Sequence, residues 1–276
     1  MPPWRTYVAL GDSFTEGVGE PDDHGGWRGW ADQLAERLAM TRPYLRYANL
    51  AVRGLMLEQI LDHQVPAAEH LAPDLVTICA AGNDFLRPRV DPDRLAEHLD
   101  TAVVRLRSHG TDVVLFSGLD PHDMRVMHHR RGHVAIYNQH LHAIAHHRGA
   151  YLVDLWSMPA LRHPLARVPD RMHLSPEAHR RVTLKVCEVL GLPVDDDWRA
   201  PWPTVDHRRW PRRRRDDLAF AREHLLPWLG QRLRRRPPGA GRTAKRPLPV
   251  PVAQDLADPA GGTRRSSSSC PPPTPA

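Results

Sequence analysis

The sequence predicts a three-layer α/β/α fold in which helices cover both faces of a five-stranded parallel sheet. Three observations carry this reading. Short apolar runs alternate along the chain with longer stretches of helical periodicity, the pattern of a parallel sheet sandwiched between helices. Residues with chemical potential, Ser13, Asn83 and the loop 118–132, directly follow apolar runs, at the edge where open α/β sheets bind ligands. With 276 residues, 41% of them hydrophobic, the chain can bury one sizeable core.

The strands are predicted at 6–10, 45–50, 75–80, 112–116 and 151–154, and the helices between and after them at 30–40, 55–63, 92–108, 133–148 and 175–190. The last helix has the clearest start. Ser175 is a good cap, Pro176 suits the first helical position because its missing N–H would have no partner there, and Glu177 places negative charge in the first turn. This first unit spans 1–192.

After Gly191 the composition changes. Residues 193–236 form an appendage rich in arginine, tryptophan and proline, where Leu218, Ala221, Leu225, Leu229 and Leu233 recur at helical spacing and predict an amphipathic helix that Pro227 must kink or restart. Residues 237–276, rich in proline and glycine and containing the run Ser266 to Ser269, carry too little apolar content to fold alone and are predicted to be a disordered tail.

The formal charge of +6 comes from 38 basic and 32 acidic residues, and only Lys185 and Lys245 are lysines. Much of the excess lies beyond residue 207. Arg212 to Arg215 and Arg234 to Arg236 could meet nucleic acid or an anionic membrane, but a solvated arginine-rich segment is the favoured reading of such a charge run. Cys79, Cys187 and Cys270 are odd in number and widely separated, which argues against a disulfide framework and for a reducing, cytoplasmic setting. The start of the chain leaves no room for a secretory signal before the first strand, and no apolar run approaches the roughly 20 residues of a membrane span. Oligomeric state is left open.

Ser13 stands in Gly11-Asp12-Ser13-Phe14-Thr15-Glu16-Gly17, at the carboxyl end of the first strand. A serine alcohol attacks only when a base takes its proton and fixed donors stabilise the resulting oxyanion. His173 can be that base, and Asp170, three residues earlier, can hold its other ring nitrogen. The serine lacks a Gly-x-Ser-x-Gly elbow, so the α/β-hydrolase architecture is disfavoured.

Together with Asn49-Leu50-Ala51-Val52-Arg53-Gly54, Gly82-Asn83-Asp84 and Asp170-Arg171-Met172-His173, this stretch resembles the sequence blocks of the SGNH hydrolases, the GDSL esterase and lipase family, in the family's own order. The resemblance covers about residues 5–192. Phe14 departs from the leucine of the family name without altering the chemistry. The resemblance implies a flavodoxin-like SGNH hydrolase fold, a triad of Ser13, Asp170 and His173, and an oxyanion site built from the Ser13 and Gly54 amides and the Asn83 side chain. It implies a serine esterase acting on a small or lipid-like carboxylic ester through an acyl-enzyme, without a cofactor. A thioesterase, a carbohydrate or lysophospholipid deacylase, or a catalytically idle binding protein recruited by its basic tail are the alternatives.

Two further features bear on the site. Trp27 and Trp30 could wall the substrate pocket or simply pack the first helix, and the loop 120–124 is the other expected wall. The histidines between 122 and 147, with His142 and His146 at i, i+4 spacing, lack acidic or cysteine partners at ligand spacing and read as a solvated helix face, so no metal is expected.

Overall fold

The computed structural model of the chain describes residues 3–124, 127–194, 196–203 and 241–252. Strand β1 (Thr6–Gly11) runs into the short helix α1 (Ser13–Glu16). It is followed by α2 (Trp30–Thr41), β2 (Arg46–Asn49), α3 (Leu57–Gln59), a π turn (Ile60–Gln64), α4 (Val65–Leu71) and β3 (Leu75–Cys79). The chain continues through α5 (Pro92–Ser108), β4 (Asp112–Phe116), α6 (Arg131–Arg148), β5 (Tyr151–Val153), α7 (Pro176–Val189) and β6 (Arg246–Pro251).

The sheet order is β5-β4-β3-β1-β2-β6, and the first five are joined by parallel pairings. Alternation along the strands sends residues to two separate cores. Tyr7 and Ala9 of β1 pack with Leu34 and Leu38 of α2 and Val182 and Val186 of α7, whereas Val8 and Leu10 pack with Leu99 of α5 and Leu141 of α6. This is the three-layer arrangement the sequence predicts. Burying both faces explains why the strands read as continuous apolar runs rather than alternating ones.

The sheet has six strands, not five. β6 pairs antiparallel with β2, with Tyr47 opposite Val250. It lies inside the segment expected to be disordered, so for residues 241–252 that expectation is corrected. Docking on an existing edge supplies the hydrogen bonds and burial that the segment cannot generate alone. The Arg46 guanidinium donates to the Pro249 carbonyl at 2.8 and 3.1 Å, and Lys245 Nζ donates to Glu16 O, Trp27 O and Asp32 Oδ2 at 2.6 to 2.7 Å. Residues beyond 192 also join the core: Trp198 and Val252 are buried in it, and the buried Arg181 donates to the carbonyls of Trp198 and Ala200. The helix predicted over 218–233 and the tail from 253 onward lie outside the described residues.

The helix predicted at 55–63 continues to Leu71. Pro66 falls in the first turn of α4, where its missing N–H costs little, and the π turn before it re-phases the helix. Ser175 caps α7 as predicted, accepting from Ala178 N at 3.4 Å. Among the described residues no helix is long and apolar enough to cross a membrane.

Candidate active site

The turn that carries Ser13 depends on what precedes it. Gly11 has φ +155°, and a Cβ there would lie 2.4 Å from Thr15 Oγ1 and 2.6 Å from Cys79 O, so only glycine lets β1 fold this tightly into α1. Asp12 caps α1, accepting from Phe14 N at 3.1 Å. Ser13 is thereby held at the first helical position, above the centre of the sheet.

Asp170 and His173 sit in a hairpin closed by the bridge between Arg167 and Leu174. Val168 N donates to His173 O at 3.1 Å, and Arg171 takes the left-handed conformation, φ 58°, that lets the chain reverse. Asp170 Oδ1 accepts from Met172 N at 2.9 Å and His173 N at 3.0 Å, while Oδ2 lies 2.5 Å from His173 Nδ1. Burial alone would raise the Asp170 carboxyl. The hydrogen bonds from the His173 ring and backbone, and from Met172, outweigh it and hold the group at about 2. An ionised Asp170 requires a proton on Nδ1, which leaves Nε2 of a neutral imidazole free to accept.

Asn83 follows β3 after Ala81, itself in a left-handed conformation with φ 75°. Its Nδ2 donates to Asp12 Oδ2 at 3.0 Å and to Leu55 O at 2.9 Å, so both amide hydrogens are engaged and one must be released to reach an oxyanion. Burial pushes the Asp12 carboxyl up to about 6, against the hydrogen bond it accepts from Phe14. Gly54 has φ 87° and follows Arg53, whose amide donates to Glu16 Oε2 at 2.7 Å and whose guanidinium grips both oxygens of that carboxylate. Glu16 thus ties the second sequence block to the helix of the first. Among the described residues neither the Ser13 nor the Gly54 N–H has an acceptor.

Ser13, Asn83 and His173 line one cleft of about 160 Å³, with Asp170 behind the imidazole; Gly54 is not part of its wall. The remaining wall is mostly apolar, including Phe85, Leu86, Met127, Val134 and Tyr137. Pro121 and Met124 bring in the loop expected to contribute. Trp27 and Trp30 do not line it: Trp30 is fully buried against Phe116, ring centroids 4.5 Å apart, and Trp27 lies under the Arg53 guanidinium. Sequence reasoning overlooked Asp12 as a partner of Asn83, and it overlooked Arg167 and Tyr137 in the wall. Asp12 stood in the Gly-Asp-Ser motif, while Val134 and Tyr137 share a helix face by their i, i+3 spacing. Among the described residues no three His, Cys, Asp or Glu side chains gather as a metal site.

The sequence pattern of the GDSL-like Lipase/Acylhydrolase family matches residues 9–181. Solved structures similar to this one include TesA (24% identity, TM-score 0.55), which aligns over 67% of this chain and 97% of that one. LAE5, an alpha/beta hydrolase enzyme from the metagenome of Lake Arreo, Spain, aligns over 68% and 95% at 21% identity, TM-score 0.57. A variant of Axe2, an acetyl xylan esterase from Geobacillus stearothermophilus, aligns over 70% and 97% at 18% identity, TM-score 0.58. At these identities the structures speak to the fold. No curated protein sequence matches the chain.

Proposed function

Because the chain belongs to the GDSL-like lipase and acylhydrolase family, serine hydrolases that act on esters, we propose that Ser13, His173 and Asp170 are its catalytic triad and that the cleft takes a carboxylic ester with an apolar acyl chain. The observation that carries this reading is that Ser13 and His173 share one cleft while Asp170 fixes the imidazole from behind at 2.5 Å.

In this mechanism His173 Nε2 takes the proton of Ser13 as Oγ attacks the carbonyl carbon. The Ser13 amide and one N–H of Asn83, both in the cleft wall, receive the oxyanion, and the Gly54 amide, outside that wall but without an acceptor among the described residues, completes the proposed set. Asp170 stabilises the imidazolium without accepting its proton. His173 then protonates the departing alcohol, leaving an acyl-Ser13 ester, and the same base activates the water that releases the acid. The apolar wall favours an acyl chain over a sugar, and the sparse, widely separated cysteines favour a cytoplasmic setting.

A panel of p-nitrophenyl esters of increasing chain length tests activity and pocket depth together. Ser13→Ala and His173→Ala should abolish turnover, Asp170→Asn should harm it less, and Asn83→Ala should lower kcat about 10²- to 10³-fold. A fluorophosphonate should label Ser13. An unlabelled serine with no ester turnover would identify an idle binding protein instead.

A further inference from the structure

Arg167 is the arginine in the wall of the Ser13 cleft. Arg28, Arg53, Arg107, Arg131 and Arg148 each pair with a carboxylate. Arg167 lines the cleft beside Ser13 and His173, yet among the described residues it makes no ion pair. Its one hydrogen bond is long, from Nη1 to Met172 O at 3.3 Å. Burial pulls its guanidinium down to about 10, with Asp170 opposing from a distance, so it remains cationic at neutral pH. A half-buried cation in the cleft wall, with no ion pair among the described residues, is placed to pair with an anionic group on a ligand.

The position of Arg167 says which part of a substrate would do so. It lies across the hairpin from Leu174, on the arm facing the one that carries His173. Most of the apolar wall comes from the segments after β3 and β4, with Phe85, Leu86, Met127, Val134 and Tyr137, while the hairpin adds Met172 and Leu174 beside Arg167. An acyl chain therefore fits the β3 and β4 side, and the departing group, which takes its proton from His173, fits the Arg167 side.

We propose that Arg167 is a specificity determinant that pairs with an anionic substituent, a carboxylate or phosphate, on the alcohol or thiol half of the substrate. A guanidinium suits this role because its planar fork meets such anions with two parallel hydrogen bonds. The proposal rests on the hydrolase reading above, and its test separates the two.

Binding is measured by calorimetry on Ser13→Ala, which holds substrate without turning it over, using 4-nitrophenyl butanoate and its 3-carboxy-4-nitrophenyl counterpart. The charged ester should bind about tenfold or more tightly than the neutral one. Adding Arg167→Met should erase that difference, and Arg167→Lys should keep part of it. A companion arm replaces the carboxylate by a phosphate and ranks the two anions. Equal binding of charged and neutral esters to Ser13→Ala, or a parallel loss for both in Arg167→Met with the ratio intact, would overturn the proposal and leave Arg167 a structural role. Hydrolysis of the neutral ester by the unaltered chain tests the hydrolase reading separately, since the binding ratio needs no turnover.

Discussion

The side-chain amide of Gln64 closes on both backbone groups of Gly11: Gly11 N donates to Oε1 at 2.8 Å, and Nε2 donates to Gly11 O at 2.9 Å. Gln64 is the last residue of the π turn, a helical irregularity that often marks functional sites, and it is buried. The end of β1 is therefore gripped from the neighbouring helix two residues before Ser13. Gln64→Ala should strip the Gly11 N–H of its acceptor and lower stability by about 1–3 kcal/mol in urea titrations. It should lower kcat more than it raises KM. Gln64→Glu, which keeps the acceptor and loses the donor, should fall between the two.

Asp12 and Asn83 form a second coupled pair, because the carboxylate that caps α1 also holds the side-chain amide assigned to the oxyanion. Asp12→Ala should reduce ester kcat by about one to two orders of magnitude by releasing that amide from its position. Asn83→Ala, which removes the donor itself, should cost about 10²- to 10³-fold. The double variant should be no worse than the poorer single one by more than a few-fold, giving a coupling of about 0.5–3 kcal/mol in a double-mutant cycle. Fully additive losses would show the two residues acting independently.

Acid stability should expose two buried groups with opposite signs. His179 is fully buried, accepting from Trp30 N through Nδ1, and burial pulls its pKa down to about 4. As pH falls from about 6.5 to 4 the unfolded chain gains a proton there and the folded chain does not, so stability is lost, up to about 3 kcal/mol. Asp12, raised by burial from 3.8 to about 6, does the reverse: over nearly the same interval the folded chain takes the proton first and gains stability. The unaltered protein should show a shallow dependence between pH 4 and 6. Asp12→Asn should steepen the loss on acidification, and His179→Gln should turn it into a gain, both read from denaturation midpoints.

Gly19 packs the hairpin of Asp170 and His173 against the segment that follows Ser13. Its φ is +111°, and a Cβ would fall 2.0 Å from Leu174 O, the carbonyl next to His173. Gly19→Ala should cost about 1–3 kcal/mol and displace His173 from Ser13. The expected readout is a drop in kcat and in the rate of fluorophosphonate labelling that exceeds the loss of folded protein.

The parts of this molecule that were legible in the sequence are those whose signal is local. The five parallel strands and the long helices α2, α5, α6 and α7 follow from apolar runs and periodicity, and Ser175 marks the start of α7 by its chemistry alone. Ser13, Asp170, His173 and Asn83 come together as expected because each follows a strand end or sits in a tight hairpin. Helix α1 went unread because four residues between glycines carry no periodicity. The engaged state of the Asn83 amide and the unpaired charge of Arg167 depend on neighbours distant in the chain. β6 was hidden by composition: a proline-rich strand looks like a tail until an open edge is there to receive it.

That strand also decides how the sheet ends. Pro247, Pro249 and Pro251 have no N–H, and Val252 N donates to Leu45 O, which turns the proline positions to the side away from β2. The last rim of the sheet thus offers almost no N–H donors, a poor template for a seventh strand from another molecule. Restoring donors there, with Pro247→Thr and Pro249→Thr, is the change by which concentrated protein should begin to self-associate into aggregates while each monomer keeps its fold.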